Sequence, residues 1–130
     1  MKVRGIDHVA INVKDMAASA AFYADVLGLQ RGRTAAMDGF DITYFALPGG
    51  GRLELFDYKG TSGDQARGEA DVGLRHLAFQ VEGVAEAERA LRAKGVPITL
   101  PTTELPALGV RVLLFLDPNG VTLEFCEPLT

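Results

Sequence analysis

The sequence has little that would let it bind a polyanion, cross a bilayer or staple itself covalently. No cluster of Lys and Arg appears anywhere, and 13 basic against 17 acidic residues leave a formal net charge of −4. A nucleic-acid or anionic-membrane surface needs a concentrated positive patch, so neither is expected as a partner. No apolar run approaches the roughly 20 residues that span a bilayer. The N-terminal MKVRGIDHVAINV alternates and is studded with charge, so it reads as a strand and not as a signal peptide. The single cysteine, Cys126, excludes an intramolecular disulfide and points to a reducing, cytoplasmic location. Its place near the end of a strand-like run reads as packing, not as a catalytic thiol.

What is present is the composition of a folded protein, 48% hydrophobic and 23% charged over 130 residues, which is one domain by length. That domain is written twice. GIDHVAINV (Gly5–Val13) and GLRHLAFQV (Gly73–Val81) share one pattern, and so do RLELF and TLEFC near the two ends of the halves. His8 and His76 stand 68 positions apart and Glu54 and Glu124 stand 70 apart, so one duplication with small loop changes accounts for both pairs.

Each half reads β-α-β-β-β. In the first, Asp15 is an N-cap, Met16, Ala20, Tyr23 and Leu27 recur at helical spacing, and Gly28 stops the helix. In the second, Val84, Ala87, Ala90 and Leu91 form the stripe and Gly95 the stop. DITYFALP, RLELFDY, VRVLLFLDP and VTLEFCEP are strands; PTTELPALG, with two prolines, reads as a loop, and DPNG (Asp117–Gly120) as a tight turn. PGGGR (Pro48–Arg52) follows a strand but opens no helix, so it is a hairpin and not a phosphate loop. The expected organisation is one α+β domain of two tandem modules, 3–58 and 73–127, joined by a polar linker, 59–72, with curved sheets forming a cup and helices outside.

Side chains alternate across a strand. Val9, Ile11 and Val13 share one face and His8, Ala10 and Asn12 the other; Leu77, Phe79 and Val81 likewise oppose His76, Ala78 and Gln80. Leu53 and Leu55 oppose Glu54, and Leu123 and Phe125 oppose Glu124. The apolar faces must pack under helices, which leaves two imidazoles and two carboxylates at repeat-related positions on the remaining faces. His8, Glu54, His76 and Glu124 are a ligand set for a divalent transition metal such as Zn, Ni, Co, Mn or Fe. The lack of thiolate ligands argues against a structural zinc cage and leaves room for water or substrate.

The paired histidine strands, AFYADVLGL (Ala21–Leu29), RLELF, GLRHLAF, ALRAKGV and DPNGVTLEF resemble the vicinal oxygen chelate superfamily along essentially the whole chain. That superfamily includes glyoxalase I, methylmalonyl-CoA epimerase, extradiol dioxygenases, fosfomycin-resistance enzymes and bleomycin-binding proteins. The resemblance implies paired β-α-β-β-β modules, a metal at the base of a cup and a homodimer. Its four metal positions fall on His8, Glu54, His76 and Glu124, a full set most like that of glyoxalase I, whereas the epimerases typically show Gln at the Glu54 position. Asn12 stands where bacterial glyoxalases I carry Arg, and Tyr58 where they carry Asn, so metal chemistry is implied more firmly than glutathione as cofactor. The acidic residue that epimerases place ahead of the third strand has no secure counterpart, although Asp38 is nearby.

The expected activity is a metal-dependent lyase or isomerase acting on a small molecule with adjacent oxygens. A proton next to a carbonyl is removed by a carboxylate, Glu124 in preference to Glu54, while the metal stabilises the enediolate. Asn12, Arg33, Tyr58 and Arg111 are candidate substrate contacts, and Tyr44 and Phe115 candidate lining residues. The alternatives are an epimerase-like enzyme, an Fe(II) extradiol-type dioxygenase, in which Glu54 would crowd the site, and a non-enzymatic drug- or metabolite-binding dimer.

Overall fold

A strand with one apolar face needs a cover, and each half of the chain supplies one helix for it. The computed structural model describes residues 1–65 and 68–130, and they form two compact units, Met1–Gly63 and Asp64–Thr130. The first holds β1 (His8–Val13), α1 (Met16–Ala21), a π-helical turn (Phe22–Val26), β2 (Gln30–Ala36), β3 (Asp41–Ala46) and β4 (Arg52–Asp57). The second holds β5 (Leu77–Gln80), α2 (Val84–Ala93), β6 (Ile98–Leu105), β7 (Val110–Leu116) and β8 (Thr122–Pro128). Each unit is therefore a β-α-β-β-β module, and the α+β class expected from the sequence is the one observed.

The two sheets share one topology, β1-β4-β3-β2 and β5-β8-β7-β6. The first strand of each unit lies parallel to the last, and the other pairings are antiparallel. This crossover sets the histidine strand beside the glutamate strand. In the register Ala10 faces Glu54, His8 faces Arg52, and Ala78 faces Glu124.

The apolar faces pack as alternation requires. Ile11, Val13, Phe45, Leu53 and Leu55 are buried in the first unit, and Leu113, Phe115, Leu123 and Phe125 in the second. Asp15 caps α1 by accepting from the Ala18 amide at 3.1 Å. The helix then widens into the π-helical turn, which the regular stripe did not foresee. The added residue turns two neighbours inward together: Phe22 and Tyr23 are both buried, edge to face with ring centres 5.1 Å apart. In the second unit Val84 and Leu91 anchor α2.

The loop expected over PTTELPALG is shorter than its prolines imply, because Pro101–Leu105 belong to β6. β6 lies at the edge of its sheet, where a missing N–H leaves no central ladder bond unmade. The DPNG turn forms as expected: the Asp117 carboxylate accepts from the Asn119 and Val121 amides at 2.8 and 2.9 Å, and Gly120 takes φ 78°. Among the described residues no helix is long and apolar enough to cross a membrane.

Candidate metal and substrate site

In the first unit the PGGGR hairpin returns the chain against the segment before β1. The Arg52 amide donates to the Asp7 carbonyl at 3.1 Å, and a side chain at Gly51 would meet that same carbonyl oxygen at 3.2 Å. Asp7, His8 and Arg52 are thereby gathered around Glu54. The His8 Nδ1 lies 2.7 Å from Asp7 Oδ2 and 3.5 Å from Glu54 Oε2. Glu54 is buried, although it lies on the face opposite the leucines. It is sustained there by Arg52, whose Nε and Nη2 donate to Oε2 at 3.2 and 3.0 Å, while Nη2 also donates to Asp7 at 3.1 Å. The hydrogen bond from His8, with Arg52 beside it, holds the Asp7 carboxyl below the usual carboxylate range, and the bond to Glu54 raises Arg52.

Tyr44 sits directly opposite Glu54 on β3. A bulge in β2 between Arg31 and Thr34 brings Arg33 over the same ring, its guanidinium carbon 5.1 Å from the ring centre, with that of Arg52 at 5.6 Å. Arg33, Tyr44 and Arg52 line a cavity of 410 Å³. Beyond Glu54 on the same strand, Phe56 stacks on Phe40, and Tyr58 stacks on both, with ring centres 4.8 to 6.5 Å apart. Asn12 is exposed and pairs in register with Phe56.

In the second unit His76 Nε2 lies 3.1 Å from Glu124 Oε2, and both side chains are largely covered. The other ring nitrogen, Nδ1, is buried without a hydrogen-bond partner among the described residues. Arg75, His76, Leu100, Leu114 and Thr122 line a cavity of 370 Å³ beside this pair. Arg75 is tied back to Glu69 through its side chain at 2.9 Å and its carbonyl at 2.6 Å.

The sequence-predicted residues thus fall into groups. The fold brings His8 to Glu54 and His76 to Glu124, one imidazole and one carboxylate per unit. Among the described residues no group of three or more His, Cys, Asp and Glu is arranged around an ion position. The donor set nevertheless suits a divalent ion: imidazole and carboxylate are borderline-to-hard ligands, and among the described residues the polar partner of the His76 ring is the carboxylate an ion would share. Arg33 and Tyr44 lie beside Glu54, and Phe115 is ordinary core.

Arg111 is not brought to the site. It pairs with Glu127 on the face of β7 that carries Leu113 and Phe115, whereas Leu114 faces Glu124. There it donates to Glu127 at 2.9 Å and Glu104 at 2.7 Å, and Glu127 in turn accepts from the Gly83 and Val84 amides at the start of α2. Those amides and Arg111 hold the Glu127 carboxyl below the usual range. Arg111 therefore ties the sheet to α2, and a substrate contact from it has no support in this geometry. Two neighbours of the site went unread. Asp7 precedes the first His, and Arg52 shares its face with Glu54 by simple alternation.

A model of the glyoxalase/bleomycin resistance protein/dioxygenase superfamily matches residues 5–125. The chain belongs to that superfamily. The Bacillus subtilis protein YwkD is 36% identical over 98% of this chain and 99% of its own. The mouse mitochondrial methylmalonyl-CoA epimerase is 26% identical, with 95% of this chain covered and 72% of that protein. Among solved structures, the trypanothione-dependent glyoxalase I of Leishmania major superposes with a TM-score of 0.78 at 25% identity, covering 96% of this chain and 87% of that one. This superfamily member keeps an imidazole and a carboxylate together in each of its modules.

Proposed function

We propose that this protein is a metal-dependent lyase or isomerase of the glyoxalase type, acting on a small molecule with adjacent oxygens. The observation that carries the reading is the duplicated pair, His8 with Glu54 and His76 with Glu124, each on the face of its sheet away from the buried leucines. His8, Glu54, His76 and Glu124 would hold one divalent ion, which when bound supplies Lewis acidity toward two neighbouring substrate oxygens.

The proton next to the carbonyl goes to a carboxylate of the chain, and Glu124 is the better base. Glu54 is held by two hydrogen bonds from Arg52. The position corresponding to Arg52 is Thr122, and among the described residues Glu124 has no guanidinium clamp, its ion-pair partner being His76. Glu54 acts as the fixed carboxylate of the pair. The likeness to the Leishmania glyoxalase I and the mouse epimerase supports a reaction of this class, since both names denote chemistry at carbonyl compounds.

The test is elemental analysis of gently purified protein beside its His76→Ala variant. Near-stoichiometric Ni, Zn, Co or Mn that disappears in the variant supports the reading, and iron would favour a dioxygenase. Absence of metal after reconstitution with each ion would overturn both and leave a metal-free ligand-binding protein.

A further inference from the structure

The two units are alike in backbone and unlike in charge beside the glutamate. Around Glu54 stand Arg33, Tyr44 and Arg52; around Glu124 the corresponding ladder sets Leu114 opposite the glutamate, Leu100 opposite Leu114, and Thr122 where the first unit has Arg52. Among the described residues the guanidinium beside the second pair, Arg75, is tied back to Glu69, so the two gathered on Tyr44 call for a separate cause.

Arg52 is committed in part, to Glu54 and Asp7. Arg33 is not. Its contact is the Tyr44 face, and it has no carboxylate partner among the described residues. The β2 bulge is what turns it there. Gly32 packs against Tyr44, where a side chain would lie in ordinary contact with the tyrosine Cβ at 3.5 Å, and the neighbouring Arg33 spreads over the ring. The ring restricts the guanidinium while leaving its in-plane donors open, an arrangement suited to a planar or tetrahedral oxyanion. The two guanidiniums balance the Asp7 and Glu54 carboxylates, and a divalent ion at His8 and Glu54 would leave the patch positive.

We propose that Arg33, Tyr44 and Arg52 form an anion subsite, and that the substrate carries a carboxylate or phosphoryl group beside the oxygens presented to the metal. The inference rests on the function proposed above and deepens it by naming the substrate class. Arg33 is the anchor, Tyr44 the platform and Arg52 the second donor. The depression they line is open to solvent and has room for a group of that size. The Phe40, Phe56 and Tyr58 stack on the other side of Glu54 gives an apolar neighbour for the remainder of the molecule.

The experiment is titration of inorganic phosphate and, separately, malonate into metal-free and zinc-loaded protein, followed through the arginine Nε–H signals in ¹⁵N NMR. Arg33→Gln is compared with Arg31→Gln, which removes the same charge from the same exposed strand but pairs with Phe45 on the opposite face. Saturable binding that weakens about tenfold in Arg33→Gln and changes less than twofold in Arg31→Gln supports the subsite. Preference for phosphate or for malonate assigns the group. No saturable binding in either form, or equal loss in both variants, overturns it. The zinc titration is read separately, so loss of metal binding would sink the metal reading without touching the Arg33 result in metal-free protein.

Discussion

Arg52 and Glu54 stand two residues apart on one face of β4, and both donor atoms of the Arg52 contact, Nε and Nη2, converge on the same glutamate oxygen that faces His8. The guanidinium thus supplies positive charge to this buried carboxylate. Removal of Arg52 leaves the buried Glu54 without its guanidinium partner. In Arg52→Met the melting temperature at pH 7 is expected to fall, and added zinc to raise it by more than in the parent protein. Differential scanning calorimetry with and without zinc checks this; equal zinc shifts would show that Arg52 does not share the carboxylate with metal.

Glu124→Gln keeps the shape of the base and removes its basicity. Turnover is expected to drop by about 10³-fold or more, within the range that general bases contribute, while elemental analysis still finds at least part of the metal. A fully active Glu124→Gln protein would reassign the proton transfer to Glu54.

Glu88 reports on acid stability. Its carboxylate accepts from the Thr102 hydroxyl at 2.6 Å and amide at 2.7 Å and from Arg92 at 2.9 Å, and these bonds, the hydroxyl first, lower its pKa to about 2. A carboxyl depressed from 4.5 favours the folded state fully above pH 4.5 and loses that contribution as pH falls toward 2. The melting temperature should therefore decline between pH 4.5 and 2 less steeply in Glu88→Gln than in the parent. Identical slopes would remove Glu88 from the acid transition.

Leu53 and Leu55 flank Glu54 from the covered face, and both are fully buried. Leu53→Ala is expected to cost about 2–5 kcal/mol by chemical denaturation, the range for a core leucine that leaves a cavity. A cost below about 1 kcal/mol would mean that the sheet face is less firmly packed than its burial indicates.

Much of the candidate site was legible because alternation is a local property. The parity of HVAINV, RLELF, HLAFQ and VTLEF places each His and Glu opposite the leucines, whatever the strands pair with. Arg52 was legible by the same rule and passed over, since a strand-end arginine beside glycines resembles a solvated turn. Arg111 was not legible: VRVLLFL is apolar on both faces, so period two is silent, and only the register with Glu127 assigns the side. β6 and β2 were hard to see for a related reason, as edge strands with few apolar residues whose partners supply the ladder.

The chain's own text determined the module, its repetition, the helix cap at Asp15, the turn at Asp117–Gly120 and the chemical type of the four donors. Tertiary structure alone decided which donors touch, that Arg52 clamps Glu54 while among the described residues no guanidinium holds Glu124, and that a bulge lays Arg33 over Tyr44. The division has a physical cause. Backbone and capping preferences act between residues a few positions apart, whereas register, bulges and ion pairs depend on which distant strands meet.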